Sequence, residues 1–169
     1  MSHALTMHQP LRIRDHGDCR WSVSGTPVDC VYVALHRLCS MGPTLVVSGI
    51  NKGANLGDDV FYSGTVGAAR EAALNGIPSL AVSLDLSQGT DALHFETAAE
   101  IAMQVVSRMQ KNPLPRGIYL NLNVPNLPMD RVVGIAACPL GRRHYEPLVE
   151  ERVDPRGKRS FWIGGYPVG

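Results

Sequence analysis

Residues 44–84 decide the fold of this chain, and they read TLVVSGINKGANLGDDVFYSGTVGAAREAALNGIPSLAVSL. The stretch opens with an uninterrupted apolar run at 44–47, which is typical of a parallel strand covered on both faces. A polar, glycine-rich loop over 48–59 follows, and an alanine-rich helix is predicted to begin near Ser63. A second apolar strand is predicted over 79–84. The order strand, loop, helix, strand predicts a right-handed βαβ unit in an α/β domain.

The flanking sequence predicts further helices and strands. Thr26 is expected to cap a short helix, with Pro27 at its first position. A longer helix is predicted over 93–110, where apolar residues recur on one face. The remaining predictions are a strand at 118–124, weaker strands at 22–24, 132–137 and 160–163, and a charged, irregular segment at 141–158.

Composition and charge exclude several classes of protein. Of the 169 residues, 44% are hydrophobic and 18% are charged, as in ordinary folded soluble proteins. The net charge of +1 predicts no broad attraction to nucleic acid polymers or to an acidic membrane. No apolar stretch is long enough to span a bilayer, no signal peptide pattern is present, and the four cysteines match neither a metal clip nor a dense disulfide framework. These features predict a cytoplasmic protein in which any phosphate chemistry depends on a local site.

The helix start at Ser63, Gly64 and Thr65 is a candidate phosphate-binding site. It follows a loop that leaves the carboxyl end of a buried strand, where ligands bind in open α/β sheets. A helix N-terminus offers unpaired backbone N–H groups and a positive dipole end, and the glycine lets an anion approach closely. A purely structural interpretation also fits, in which Ser63 only caps the helix and Gly64 only relieves crowding.

Two loop asparagines, Asn51 and Asn55, are candidate ligands of a hard divalent cation such as Mg²⁺ or Mn²⁺. Neutral amide oxygens need carboxylates from elsewhere to hold such an ion, and without them loop asparagines usually form turns. Asp58 and Asp59 are the nearest acids, although aspartates at such a position are more often solvated. The basic cluster at 141–144 could contact phosphate or a neighbouring subunit, but a solvated surface is the simpler interpretation.

Several consecutive motifs resemble those of the survival protein SurE family. They are GTPVDCV at 25–31, VSGINKGANLG at 47–57, YSGTV at 62–66, NLNVP at 121–125, and the weaker DPRG at 154–157 with FWIG at 161–164. The resemblance implies a 5′/3′-nucleotidase that hydrolyses nucleoside monophosphates, with polyphosphate also possible, and that uses a divalent metal. It implies that Asn55 is a metal ligand, that Asn51 lines the same site as a phosphate- or substrate-binding residue, and that Ser63, Gly64 and Thr65 hold the phosphate.

The resemblance also implies a fold and an assembly. Residues 1–140 would form an incomplete, Rossmann-like, three-layer α/β core with a mostly parallel sheet. Residues 141–169 would begin a β-rich arm that makes dimer or tetramer contacts in the intact protein.

The sequence departs from the family pattern at both ends. The family begins with a strand ending in Asn-Asp-Asp-Gly, whose two aspartates bind the metal, and a metal-binding serine follows before the position of Met1. Neither segment is present, so the chain is expected to be a truncated piece with little or no turnover. Two other interpretations stay open, which are a non-catalytic phosphate- or nucleotide-binding module and a non-functional gene fragment.

Overall fold

A computed structural model describes residues 4–87, 92–165 and 167–168. Its strands and helices, in chain order, are β1 (Ile13–Asp15), β2 (Trp21–Val23), α1 (Pro27–Val33), β3 (Val46–Lys52), α2 (Gly64–Leu74), β4 (Ser79–Asp85), α3 (Phe95–Lys111), β5 (Tyr119–Pro125), β6 (His144–Tyr145), β7 (Leu148–Val153), β8 (Arg159–Gly164) and β9 (Pro167–Val168). Among these described residues, no helix is both long and apolar enough to cross a membrane.

A three-stranded parallel sheet lies at the centre of the fold. Its strand order is β3-β4-β5, with Val46 opposite Ser79 and Ser79 opposite Tyr119. Helix α2 connects β3 to β4, and α3 connects β4 to β5. The predicted parallel βαβ arrangement is therefore confirmed.

The two crossover helices cover opposite faces of the sheet, which gives three layers. Leu80 and Val82 point to the α3 side and pack with Ala102 and Val105, all of them buried. Ala81, between them on β4, points the other way and packs against Ala69 of α2 and its neighbours. Because β4 is covered on both faces and buried along most of its length, it forms the middle of the core.

Strand β3 continues beyond the point where a loop was predicted. The loop was expected to begin at Ser48, but β3 runs to Lys52, with a register shift against β4 between Ser48 and Asn51. Gly49 lies at this shift with φ +129°, and a Cβ atom there would collide with the Val82 carbonyl oxygen. Hydrogen bonding to β4 therefore extends the strand into a segment whose polar, glycine-containing composition predicts a loop. Only glycine fits at position 49.

The C-terminal region differs from the sequence prediction in two places. The weak strand predicted at 132–137 does not form, whereas part of the segment predicted to be irregular forms β7. This strand pairs antiparallel with β8, from Leu148 opposite Gly164 to Val153 opposite Arg159. The intervening turn is closed by Asp154, whose carboxylate accepts hydrogen bonds from the backbone N–H groups of Arg156 and Lys158. This turn closure and the cross-strand pairing outweigh the high local charge.

The start of α1 anchors the N-terminal run of the chain. Thr26 is the N-cap, Pro27 lies in the first turn, and Asp29 completes a capping box, as the sequence predicts for Thr26. Asp29 is buried, with 1% of its surface exposed, and its carboxylate also accepts hydrogen bonds from the Thr6 backbone N–H at 2.8 Å and the Thr6 hydroxyl at 2.6 Å. A single carboxylate thus joins the helix start to a segment more than twenty residues earlier.

Candidate functional site at the carboxyl edge of the sheet

The candidate site is built where β3 leaves the sheet. After Lys52 the chain forms a short connection, a 3₁₀ turn over Gly57–Phe61, and then the N-cap of α2 at Ser63. In a parallel sheet, such a connection crosses the carboxyl edge of the strands and ends at a helix N-terminus. The predicted phosphate- and metal-binding residues all lie on this β3-to-α2 connection or at its ends.

Asn55 is the most firmly held residue of the connection. It is buried, with 6% of its surface exposed, although it belongs to no strand or helix. Its backbone N–H donates to Asn123 Oδ1 at 2.8 Å, and its carbonyl oxygen accepts from Asn123 Nδ2 at 3.0 Å and from Asn121 Nδ2 at 2.8 Å. Its side-chain Nδ2 donates to the Ser83 hydroxyl at 2.7 Å. Both β4 and β5 therefore hold this one residue.

The side-chain amides of the two candidate ligand asparagines, Asn51 and Asn55, are held in the same way, through the amide nitrogen. Asn51 is half-buried, and its Nδ2 donates to the Gly53 carbonyl oxygen at 2.8 Å. In both Asn51 and Asn55 the amide nitrogen is engaged, and within residues 4–87 and 92–165 no donor is bonded to either Oδ1. Each Oδ1 is thus available as a hard oxygen ligand.

The start of α2 has the properties of an anion site. Ser63 has extended backbone geometry, and its Oγ accepts a hydrogen bond from the Val66 N–H at 3.2 Å. The backbone N–H groups of Gly64 and Thr65 lie in the first turn, where a helix offers no carbonyl partner. A serine hydroxyl that accepts one hydrogen bond still has a hydrogen that it can donate to an anion.

The acidic pair after the loop has structural partners. Asp59 Oδ2 accepts from Arg143 Nη1 at 2.8 Å and from the Tyr145 hydroxyl at 2.7 Å, and Asp58 Oδ2 accepts from the Arg143 backbone N–H at 3.3 Å. The hydrogen bond to Asp59 raises the pKa of the Tyr145 phenol. These contacts attach the 3₁₀ turn to the start of β6, so Arg143 is ion-paired rather than simply solvated.

No acidic cluster accompanies the asparagines in the described part of the chain. Among residues 4–87, 92–165 and 167–168, no group of three or more His, Cys, Asp and Glu side chains is arranged to hold a metal ion. The amide oxygens fit a hard cation in chemical type, but they supply no negative charge.

A cavity of about 660 Å³ lies beside the β3-to-α2 connection. Asn55, Asn121 and Asn123 line one side of it, Leu120 and Leu122 contribute apolar surface, and Arg142 and Arg143 also border it. Asn121 Oδ1 is buried and has no hydrogen-bond partner among the described residues. The cavity thus combines apolar walls with a few polar groups, as small-molecule sites usually do.

Sequence reasoning identified the loop and the helix start but missed the residues that support them. Ser83, Asn121 and Asn123 were not proposed as site residues, because they lie 28 to 68 positions from Asn55. The available signal was a pair of asparagines at alternate positions of β5, where two polar side chains share one face of a sheet strand.

Comparisons with known proteins identify the family of the chain. A family model described as "Survival protein SurE" matches residues 1–147. The 5′-nucleotidase SurE of Geotalea daltonii is 47% identical over 164 residues, covering 97% of this chain and 65% of that protein. The 5′-nucleotidase SurE of Alkalilimnicola ehrlichii is 49% identical, covering 96% of this chain and 62% of that protein.

A solved structure gives the same result for the fold. The crystal structure of the SurE protein from Aquifex aeolicus superposes with a TM-score of 0.80 at 38% identity, covering 96% of this chain and 65% of that one. The chain spans a little under two thirds of the length of these relatives. Both the sequence match and the shared fold establish that the chain belongs to the SurE family.

Proposed function

We propose that this protein works as a 5′/3′-nucleotidase, which hydrolyses nucleoside monophosphates to nucleoside and phosphate with a divalent cation. The observation that carries the proposal is the β3-to-α2 connection, which joins unbonded amide oxygens to the N–H donors of a helix start at the carboxyl edge of the sheet. Its relatives carry the name 5′-nucleotidase. Phosphate esters other than nucleotides, including polyphosphate, are further candidate substrates.

Ser63, Gly64 and Thr65 would bind the phosphate. The two backbone N–H groups and the Ser63 hydroxyl can donate to phosphoryl oxygens, and the helix dipole favours negative charge at this end. Donors fixed by a helix need no reorganisation as charge develops on the transferring phosphoryl group. Ser63 would serve as a donor rather than as a nucleophile, since its oxygen already accepts from the Val66 N–H. The neighbouring cavity would leave room for the nucleoside.

Asn55 would be a metal ligand through Oδ1, with Asn51 lining the same site. A bound Mg²⁺ or Mn²⁺ would supply Lewis acidity and charge neutralisation at the phosphoryl group. Neutral amide oxygens alone should hold such an ion weakly, and an aspartate pair of the family type would provide the missing charge. We therefore expect little or no turnover from the 169-residue chain and restored turnover when an Asn-Asp-Asp-Gly segment is added upstream.

The two parts of the chain would have different roles. Residues 1–140 would form the phosphatase core, and residues 141–169 would begin a β-rich arm for dimer or tetramer contacts in a cytoplasmic protein. Support for the arm comes from the β7–β8 pair, whose Val149, Phe161, Trp162 and Ile163 side chains are more than half exposed. Exposed apolar surface of this kind is typical of a protein interface.

Phosphate release from a nucleoside monophosphate tests the proposal. The 169-residue chain and an upstream-extended chain should be compared with Mg²⁺ and with Mn²⁺, each beside a metal-free sample. The extended chain is expected to release phosphate only with metal. Absence of release from the extended chain would contradict the nucleotidase proposal, and phosphate binding without turnover would favour the non-catalytic binding module.

Single substitutions in the extended chain separate the two asparagines. Asn55→Ala is expected to raise the metal concentration needed for half-maximal rate, and Asn51→Ala to weaken the same site. Asn112→Ala, at an exposed position after α3, is the matched control. A loss confined to Asn51→Ala would show that Asn55 is not a ligand and only shapes the loop.

A further inference from the structure

The connection that carries the candidate ligands is held by side chains outside the proposed ligand set. Asn55 belongs to no strand or helix. Even so, its backbone N–H, its carbonyl oxygen and its side-chain nitrogen all have hydrogen-bond partners. Those partners come from the ends of β4 and β5 rather than from the connection itself. The conformation of the connection is therefore imposed by the sheet.

Asn123 matches the Asn55 backbone in a way that only a carboxamide can. Its Oδ1 accepts from the Asn55 N–H, while its Nδ2 donates to the Asn55 carbonyl oxygen. A carboxylate of the same size would keep the acceptor but place a second oxygen against that carbonyl. Asn121 adds a second donor to the same carbonyl oxygen.

Ser83 anchors the Asn55 side chain to β4. Asn55 Nδ2 donates to the Ser83 hydroxyl at 2.7 Å, which leaves Oδ1 on the other side of the amide. Ser83 is fully buried in β4, so its hydroxyl has little freedom to move. Loss of the Ser83 hydroxyl would remove this anchor and leave the amide freer to rotate.

We propose that Asn123, Asn121 and Ser83 are positioning residues for catalysis. They would hold the loop around Asn55, and with it the Asn55 Oδ1, in the geometry that binds the metal. The proposal rests on the proposed function for its catalytic meaning. Supporting residues that orient a metal ligand typically change metal affinity about 10- to 100-fold when they are removed. Asn123 and Ser83 should behave in this way, although neither touches the ion or the phosphate.

The decisive experiment compares two buried serines of β4. Ser83→Ala removes the contact with Asn55, whereas Ser79→Ala removes a hydroxyl that is equally buried on the same face and donates to the Ala69 carbonyl oxygen at 2.6 Å. Both variants should shift the urea midpoint to a similar extent. In the upstream-extended chain, only Ser83→Ala should weaken Mn²⁺ binding, measured by water-proton relaxation, and by about 10-fold. Equal Mn²⁺ affinities in the two variants would overturn the proposal.

A second comparison measures the protection of the Asn55 backbone N–H from exchange, and it needs no metal. Asn123→Ala, which removes the acceptor of the Asn55 N–H, is expected to accelerate hydrogen exchange of that N–H, measured by NMR in the 169-residue chain, while the exposed Asn112→Ala leaves it unchanged. The same exchange rate in both variants would refute the positioning role. If the upstream-extended chain without substitutions binds no Mn²⁺, that result counts against the metal proposal, and the exchange measurement still decides the positioning role.

Discussion

Replacement of Asp29 should destabilise the fold far more than its place in a short helix suggests. The carboxylate is buried and accepts from the Thr6 N–H, the Thr6 hydroxyl and the Thr26 N–H at 2.6 to 2.8 Å. The side chain introduced by Asp29→Asn would retain one oxygen, but its NH₂ group would face a donor. Loss of one bond and of the charge on the others should cost about 2 kcal/mol. Asp29→Ala should cost about 4 kcal/mol, because several buried donors lose their partner.

The pH dependence of the same site has a defined sign. Burial alone would raise the pKa of Asp29, but hydrogen bonds from Thr6 and Thr26 outweigh it, so the pKa is lowered in the folded state. The unfolded chain then binds this proton more readily, and the stabilisation is complete above the unfolded pKa of about 3.9. The difference in unfolding free energy between Asp29→Asn and the unaltered chain should therefore be largest near neutral pH and shrink as the pH falls below about 4.

Urea denaturation followed by circular dichroism measures both effects, at pH 7 and at several values down to pH 3. Asp18→Asn is the control, since the Asp18 side chain is 90% exposed and pairs with the exposed Arg20. A loss below about 0.5 kcal/mol for Asp29→Asn, as expected for a surface change, would refute the reasoning. A difference that grows as the pH falls would refute the assigned sign of the pKa shift.

Three further outcomes follow from contacts described above. Gly49→Ala should destabilise the fold by about 2 kcal/mol or more, because its Cβ would meet the Val82 carbonyl oxygen at a positive φ; an unchanged urea midpoint would contradict this. Arg143→Met should lower the free energy of unfolding by about 1 kcal/mol, since its ion pair with Asp59 is partly shielded from water. A urea denaturation curve with no loss of stability would show that the pair makes no net contribution. The Tyr145 phenol should ionise above the ordinary tyrosine pKa of about 10 because its proton is bonded to Asp59, which an ultraviolet titration against Tyr145→Phe would reveal; ionisation at or below about 10 would contradict it.

The sequence predicts those parts of the fold that depend on local patterns. The apolar run before Ser48, the Ser63 cap and the alanine spacing of α2 are all local signals, and the helix begins where they predict. The end of β3 is not local, because Asn51 and Lys52 join the strand through register-shifted pairing with Ser83 and Leu84. No pattern within residues 48–52 reports that pairing.

The candidate site shows the same division. Asn51, Asn55 and the helix start are recognisable from composition and motif, because anion sites and hard-cation ligands have characteristic residue types. Asn123 and Ser83 are not recognisable in this way, since a buried serine or strand asparagine has many ordinary explanations. Their relation to Asn55 arises only when three parallel strands bring their carboxyl ends together.

The small residues between α2 and β4 set the height of the start of α2, the proposed anion site, above the sheet. Ala69 packs directly on Ala81, and the Ser79 hydroxyl donates to the Ala69 carbonyl oxygen, so the helix backbone itself is bonded to the strand. The helix and the sheet are in contact here through alanine and serine. These short side chains have too few rotatable bonds to change the spacing between the two layers. The depth of the proposed site therefore depends on residue volume at position 69, and a larger side chain there would lift the helix start away from the Asn55 loop without contacting any candidate ligand.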